Sequence, residues 1–188
     1  GHIKKKHLIF YLFFFDAYLL ITFSLLDVML FGLIYLEASY GLLPKNGAGS
    51  ATFISISAGL LMIVMFLIYF RFIFGWFMRN FERQADAYAL GVIGYAYPLI
   101  STFEKIAETS GQSPDRPNWH HYSIRERIDF LARAETDPSA IFSHDRKIRN
   151  GIVCFLGGVL VFGWLGYSFH FGKTGATLNT SYASAVIE

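Results

Sequence analysis

The sequence predicts an all-α, multi-pass helical membrane protein, and three observations support this fold class. Of the 188 residues, 54% are hydrophobic and only 16% are charged, whereas soluble domains carry about 25% charged residues. The apolar residues fall in three long runs. Each run is long enough to cross a bilayer core of about 30 Å as an α-helix. The polar stretch between the second and third runs carries helix-capping patterns.

The first two runs are separated by a short turn. The first predicts a transmembrane helix over about residues 8–36, interrupted by Asp16 and Asp27. Because a carboxylate is costly in lipid, we expect each of these aspartates to face protein or water. Residues 37–50 contain a proline and glycines that break helices. A second transmembrane helix is predicted over about residues 51–77, and it continues without a breaker into polar sequence.

Capping patterns predict helix starts within the polar stretch. Ser101 with Glu104 predicts one start, and Ser123 with Glu126 predicts another. Asp137, which is followed by a proline, predicts a third.

The basic residues orient the chain. Ten lysines and arginines lie within residues 79–150 and three precede the first run, whereas residues 37–50 hold only one. Because cytoplasmic loops are rich in these residues, the N-terminus and residues 79–150 are predicted to be cytoplasmic. The remaining segments are then a cytoplasmic helical part (78–131), a helical connector (132–150), a third transmembrane helix (151–171) and a polar tail (172–188).

Charge and cysteine content exclude several classes of protein. The net charge is +2, and no basic stripe is interleaved with aromatic residues, so we expect no nucleic-acid partner. The single cysteine, Cys154, excludes a disulfide framework and a cysteine-based zinc site. The partner that composition does predict is the lipid bilayer.

The predicted topology brings two distant residues to one membrane surface. His2 lies just before the first span and Glu82 just after the second, so both emerge on the cytoplasmic side of an antiparallel hairpin. Asp86 follows Glu82 at i+4 on the same helix face. One carboxylate that binds a metal and a second that orients a histidine need this geometry. An ordinary polar helix turn carries the same spacing.

Three motifs in order add a resemblance to a known family. "GHIKKKH" is similar to the second half of the H-E-x-G-H zinc motif with a basic stretch after it. "RNFERQADAYA" is similar to the R-x-x-E-x-x-A-D-x-x-A helix that supplies a third ligand, and "WHHYSIRERIDFL" is similar to the H-P-x-x-x-x-R-I element that follows. Over about residues 1–131, the chain resembles the integral-membrane zinc metallopeptidases related to the CAAX prenyl endoprotease and the heat-shock protease HtpX.

The resemblance implies one zinc ion with His2 and Glu82 among its three protein ligands. The first zinc histidine and the general-base glutamate would then lie upstream of Gly1. We therefore expect the 188-residue chain by itself not to cleave peptides. Gly1-His2 is alternatively the remnant of a purification tag, in which case His2 has no role.

The resemblance also implies roles for three further residues. Asp86 would hold a zinc histidine in its working tautomer. His121 would donate to the oxyanion of the tetrahedral intermediate, and Arg127 would position that loop or the substrate. Tyr122 stands where the family usually has proline, and the adjacent His120 leaves open which of the two histidines acts.

The function that follows from the resemblance is a zinc-dependent endopeptidase, acting on a peptide or membrane-protein substrate at the cytoplasmic membrane face. The alternative is a non-catalytic helical membrane protein, such as a transporter subunit or an assembly factor. Its functional residues would be Asp16, Asp27 and Arg71. The remaining polar residues receive simpler interpretations: cytoplasmic anchors for Arg79 and Arg83, and interfacial positions for His7, His144 and His170.

Overall fold

Helices are the only regular secondary structure in the residues that the structure describes. The computed structural model describes residues 7–40, 47–111, 113–170, 172, 176–177 and 180. Among them, no β-strand is present, which confirms the predicted fold class. The helices are α1 (His7–Tyr40), α2 (Gly47–Ile68), a π-helical segment (Tyr69–Phe74), α3 (Gly75–Ile93), α4 (Tyr97–Ser110), α5 (Ile124–Thr136) and α6 (Ser139–His170).

Three stretches within these residues are long and apolar enough to cross a membrane. They are His7–Leu30, Thr52–Ile93 and Ser139–Ser168. Large apolar side chains such as Leu8, Ile63 and Leu160 are mostly exposed along them. Exposed apolar surface of this extent is unfavourable in water and is accommodated by lipid tails.

The chain divides into two compact units, and the first of them contains the polar helices. It comprises residues 1–14 and 69–154. Its core lies where α3, α4 and α5 meet, and the side chains that form it are Ala87, Leu90, Ala96, Phe130, Leu131 and Ala134, with Leu99, Ile100, Phe103 and Ile141 packed against them. Burial of these side chains holds α3 and α5 side by side, which fixes the distance between the polar residues on the two helices.

The start of α4 differs from the sequence prediction. The helix begins at Tyr97, not at Ser101, whose hydroxyl instead contacts the carbonyl oxygen of Pro98 at 3.4 Å. The Ala96 N–H donates to Glu135 Oε1 at 2.9 Å, so a carboxylate on α5 stabilises the N-terminus of α4. The capping group comes from another helix, and for this reason the local pattern misplaced the start.

The start of α5 is as the sequence predicted. Ser123 Oγ accepts from the Glu126 N–H at 3.2 Å, and Glu126 Oε2 accepts from the Ser123 N–H at 2.9 Å, which completes a capping box. The predicted third start is also present, since the Ser139 N–H donates to Asp137 Oδ1 at 2.9 Å. Hydrogen bonds from the Ser139 hydroxyl and then its N–H hold the pKa of Asp137 below its usual value.

An aromatic cluster joins the start of α1 to α3. The His7 ring stacks on Phe81 with the ring centroids 4.3 Å apart, and the Phe14 and Phe77 centroids are also 4.3 Å apart. The Tyr69 hydroxyl donates to the Phe14 carbonyl oxygen at 2.6 Å. The start of α1 therefore runs antiparallel to α3. His7 contacts Phe81, whereas the later Phe14 contacts the earlier Phe77.

The second unit comprises residues 15–68 and 155–188. Tyr18 packs edge-on against Phe66, with centroids 5.9 Å apart. Gly166 of α6 lies so close to Ser24 of α1 that a Cβ at Gly166 would clash with the serine hydroxyl. A small residue is therefore required where these two helices meet, as is common between helices in membranes.

The polar residues of the predicted spans lie in different environments. Asp16 and Arg71 are exposed, whereas Asp27 is half-buried. A hollow of about 530 Å³ is lined by Leu20, Phe23, Ser24, Asp27, Gly163, Gly166 and Tyr167.

We expect Ser123→Ala to lower the free energy of unfolding by about 1 kcal/mol, because the Glu126 N–H loses its acceptor. Chemical denaturation of the detergent-purified protein, followed by circular dichroism, measures the change. Ser101→Ala is the matched control, and we expect a loss of at most about 0.3 kcal/mol, since alanine is the better helix former. Equal losses in the two variants would contradict the assignment of Ser123 as the cap.

Candidate active site

One face of α3 presents most of the polar residues of the candidate site. This face is formed by Gly75, Arg79, Glu82, Arg83 and Asp86. Apart from the adjacent Glu82 and Arg83, each follows the one before it by three or four residues. An α-helix has 3.6 residues per turn, so residues at this spacing share a face. That face contacts α5 and the loop before it, as the hydrogen bonds of its members show.

Arg127 of α5 joins the two carboxylates of α3. Its Nε donates to Asp86 Oδ2 at 2.9 Å and its Nη2 to Asp86 Oδ1 at 2.7 Å, while its Nη1 donates to Glu82 Oε1 at 2.6 Å. The side chains of Arg127, Asp86 and Glu82 are 19%, 10% and 13% exposed. The guanidinium also lies over the Phe103 ring, 4.1 Å from its centroid. A planar fork that binds both oxygens of one carboxylate fixes orientation as well as distance.

His121 makes the second contact to Glu82. Its Nδ1 lies 3.0 Å from Glu82 Oε1, and because an ionised carboxylate only accepts, Nδ1 carries the hydrogen in this contact. The histidine side chain is 49% exposed, and its Nε2 makes no hydrogen bond to any residue that the structure describes. A ligand at this surface can therefore reach Nε2.

The second oxygen of Glu82 fits the role of a metal ligand. Oε2 is buried and has no hydrogen-bond partner among the described residues. A buried carboxylate oxygen without a partner is unfavourable, and a cation would satisfy it. Within the described residues, no three histidine, cysteine, aspartate or glutamate side chains stand close enough to hold a metal. His2, the other predicted ligand, lies outside those residues.

The structure places His121, and not His120, on Glu82. The His120 ring lies between its neighbours, with centroids 4.5 Å from Trp119 and 4.0 Å from His121. Its Nδ1 is buried without a partner in the described part of the chain. Burial, and then the charge of His121, lower the pKa of His120, which favours its neutral form.

Asp86 makes its contacts with Arg127. Both of its oxygens accept from that guanidinium, and it contacts no histidine among the described residues. The contact to a zinc histidine stays a prediction, because His2 lies outside the described residues.

Arg79 and Gly75 hold the backbone of the loop at Trp119. Arg79 Nη1 donates to the Trp119 carbonyl oxygen. A Cβ at Gly75 would lie 2.6 Å from the same oxygen, so only glycine allows this approach. From the sequence we predicted only a cytoplasmic anchor at Arg79, because the partner that it binds lies 40 residues away.

Tyr122, at the other end of the loop, contacts two residues of α3. Its hydroxyl donates to Asn80 Oδ1 at 3.3 Å, and the Arg83 guanidinium lies 3.8 Å from the centre of its ring. Arg83 also lies 5.0 Å from the centre of the Phe130 ring. Arg83, too, is therefore more than a cytoplasmic anchor.

His7 and His144 were predicted to be interfacial, and the structure buries both within the first unit. His7 Nε2 lies 3.2 Å from Gln84 Oε1, and Gln84 Nε2 donates to Asp145 Oδ1 at 2.6 Å. His144 Nε2 donates to the Asn80 carbonyl oxygen at 3.0 Å. These contacts form only because α1 and α6 pack on α3, so the sequence did not predict them. The third histidine predicted to be interfacial is His170, whose side chain the structure does not describe.

Residues 1–144 match the family model described as Peptidase family M48. No curated protein and no solved structure gives a significant match. The family match spans 144 of the 188 residues and includes every candidate site residue named above. It confirms the resemblance inferred from the three motifs. The chain belongs to Peptidase family M48, a family of metallopeptidases.

Proposed function

We propose that the protein is a zinc-dependent endopeptidase with its active site at the cytoplasmic face of a membrane. The observation that carries the proposal is the unequal hydrogen bonding of the two carboxylate oxygens of Glu82. One of its oxygens is held by His121 and Arg127, and the other is buried without a partner among the described residues. A structural ion pair alone gives no reason to leave that second oxygen unpaired.

Glu82 and His2 would hold one zinc ion, with a further histidine supplied by the motif to which His2 belongs. A bound zinc ion lowers the pKa of water and polarises the scissile carbonyl. Arg127 holds Glu82 by its Oε1, so Oε2 would be the oxygen that binds the metal. Asp86 accepts two hydrogen bonds from Arg127 and so orients its guanidinium. Arg127 in turn orients Glu82, the proposed zinc ligand.

His121 would stabilise negative charge that develops on the substrate, and three observations support this role. It lies against Glu82, its side chain is half exposed, and Nε2 makes no hydrogen bond to a described residue. As an imidazolium it donates from Nδ1 to Glu82 and from Nε2 to the oxyanion of the tetrahedral intermediate. The substrate would be a peptide or a membrane protein, because the helix that carries Glu82 continues from an apolar stretch.

The cytoplasmic assignment is supported by the distribution of charge. Residues 79–150 hold ten of the sixteen lysines and arginines. The excess of basic residues in cytoplasmic segments orients membrane proteins. The transporter or assembly-factor interpretation has less support, because Asp16 and Arg71, two of its three functional residues, are exposed side chains.

We expect Glu82→Gln to abolish zinc binding, since an amide oxygen is a much weaker zinc ligand than a carboxylate. Zinc per chain is measured by inductively coupled plasma mass spectrometry on the full-length protein purified in detergent. Glu108→Gln makes the same chemical change at an exposed position of α4 and should keep one zinc ion per chain. Retention of stoichiometric zinc by Glu82→Gln would refute the role of Glu82.

We expect His121→Ala to lower kcat about 100-fold to 1,000-fold with little change in KM, as is found when an oxyanion donor is removed. Cleavage of fluorogenic casein by the full-length protein provides the measurement. His120→Ala is the matched control, and its kcat should fall by less than about tenfold, because His120 does not contact Glu82. The assignment of His121 is wrong if His120→Ala is the more damaging change.

We expect a cysteine at position 113 to be protected from a membrane-impermeant maleimide in intact cells, and one at position 45 to react. The variants Ser113→Cys and Lys45→Cys are made with Cys154→Ser, which removes the natural thiol. Permeabilised cells provide the control, because both thiols should then react. The opposite labelling in intact cells would place residues 79–150 outside.

A further inference from the structure

We propose that Tyr122 is a positioning residue that fixes His121 against Glu82 by binding two residues of α3. The inference rests on the proposed role of His121 as the oxyanion donor. It goes beyond that role because it names the side chain that keeps the donor in place.

The hydroxyl of Tyr122 binds an acceptor that is itself immobilised. Tyr122 donates to Asn80 Oδ1 at 3.3 Å, and Asn80 is completely buried. The amide nitrogen of Asn80 donates to the Trp76 carbonyl oxygen at 2.6 Å. Its own carbonyl oxygen accepts from His144 Nε2 at 3.0 Å. Rotation of the Asn80 side chain would break the hydrogen bond from Nδ2, so Oδ1 is held toward Tyr122, while the bond from His144 holds the Asn80 backbone.

The ring of Tyr122 is held separately from its hydroxyl. The Arg83 guanidinium lies over two rings, 3.8 Å from the centre of Tyr122 and 5.0 Å from the centre of Phe130. Arg83 Nε is buried and makes no hydrogen bond within the described part of the chain. The contacts that the structure shows for this guanidinium are therefore cation–π contacts, which are strengthened by exclusion of water.

These contacts act on His121 because the segment 119–123, which contains it, is held at both ends. Before the two histidines, Arg79 holds the Trp119 carbonyl oxygen, and the Asn118 N–H donates to the His121 carbonyl oxygen at 3.1 Å. After them, Ser123 begins α5 with its capping box. Tyr122 is the residue between His121 and that cap. A proline there would restrict the backbone through its ring, whereas Tyr122 restricts it through its side-chain contacts.

The test is a double-mutant cycle between Tyr122 and His121 in the full-length protein. Tyr122→Phe removes the hydroxyl and keeps the ring. We expect kcat on fluorogenic casein to fall about twofold to tenfold with KM unchanged, as for the loss of one hydrogen bond. In the His121→Ala background the same change should have no further effect, because the residue through which it acts is absent. Tyr97→Phe, which removes an exposed hydroxyl, is the control and should leave kcat unchanged.

The outcomes separate this proposal from the proposed function. An equal loss from Tyr122→Phe in both backgrounds would overturn the positioning role and leave the role of His121 intact. Full activity of His121→Ala would overturn the donor role and the positioning role together.

A second readout is independent of activity. We expect hydrogen–deuterium exchange of the backbone amides of residues 118–123 to be faster in Tyr122→Leu, which removes both the hydroxyl and the ring. The apparent melting temperature is measured in parallel, and the Tyr97→Phe control should exchange like the wild-type protein. Unchanged exchange in Tyr122→Leu would overturn the proposal whatever the kinetics show.

Discussion

The ion pairs of Arg127 are the interaction on which the geometry of the site depends. One guanidinium binds both oxygens of Asp86 and one oxygen of Glu82, and all three side chains are largely buried. Charges removed from water are tolerated only when they are paired closely and in good geometry. The arrangement therefore fixes the distance between α3 and α5 and leaves the second oxygen of Glu82 available to a ligand.

The register of α3 decides which side chains can take part. Arg79, Glu82, Arg83 and Asp86 share the face that meets α5 and the loop before it. A shift of one residue would turn each of them by about 100°, which would separate both carboxylates from Arg127. The opposite face is used as well, since Gln84 links His7 of α1 to Asp145 of α6. The helix is thus held on two sides, and its rotation is fixed.

The loop between α4 and α5 is held against α3 at two points. Its backbone approaches α3 at Gly75, where a larger residue would clash with the Trp119 carbonyl oxygen. Its far end is bound through Tyr122 to Asn80, which is connected in turn to His144 of α6. Side-chain contacts from two helices thereby restrict the loop. The histidine beside Tyr122 is the one that reaches Glu82.

The sequence by itself determined the helical class, the order of the site motifs and the helix starts that depend on local contacts. Apolar runs and the Ser123 capping box act within one or two turns, so a pattern of neighbouring residues is enough to recognise them. Tertiary structure alone decided that α4 begins at Tyr97, because Glu135 of α5 supplies the acceptor. It also decided that Arg127, rather than a histidine, binds Asp86 in the described residues, and that Arg83 stacks on Tyr122. These contacts join residues some 40 positions apart, and they exist only once the core of α3, α4 and α5 has brought them together.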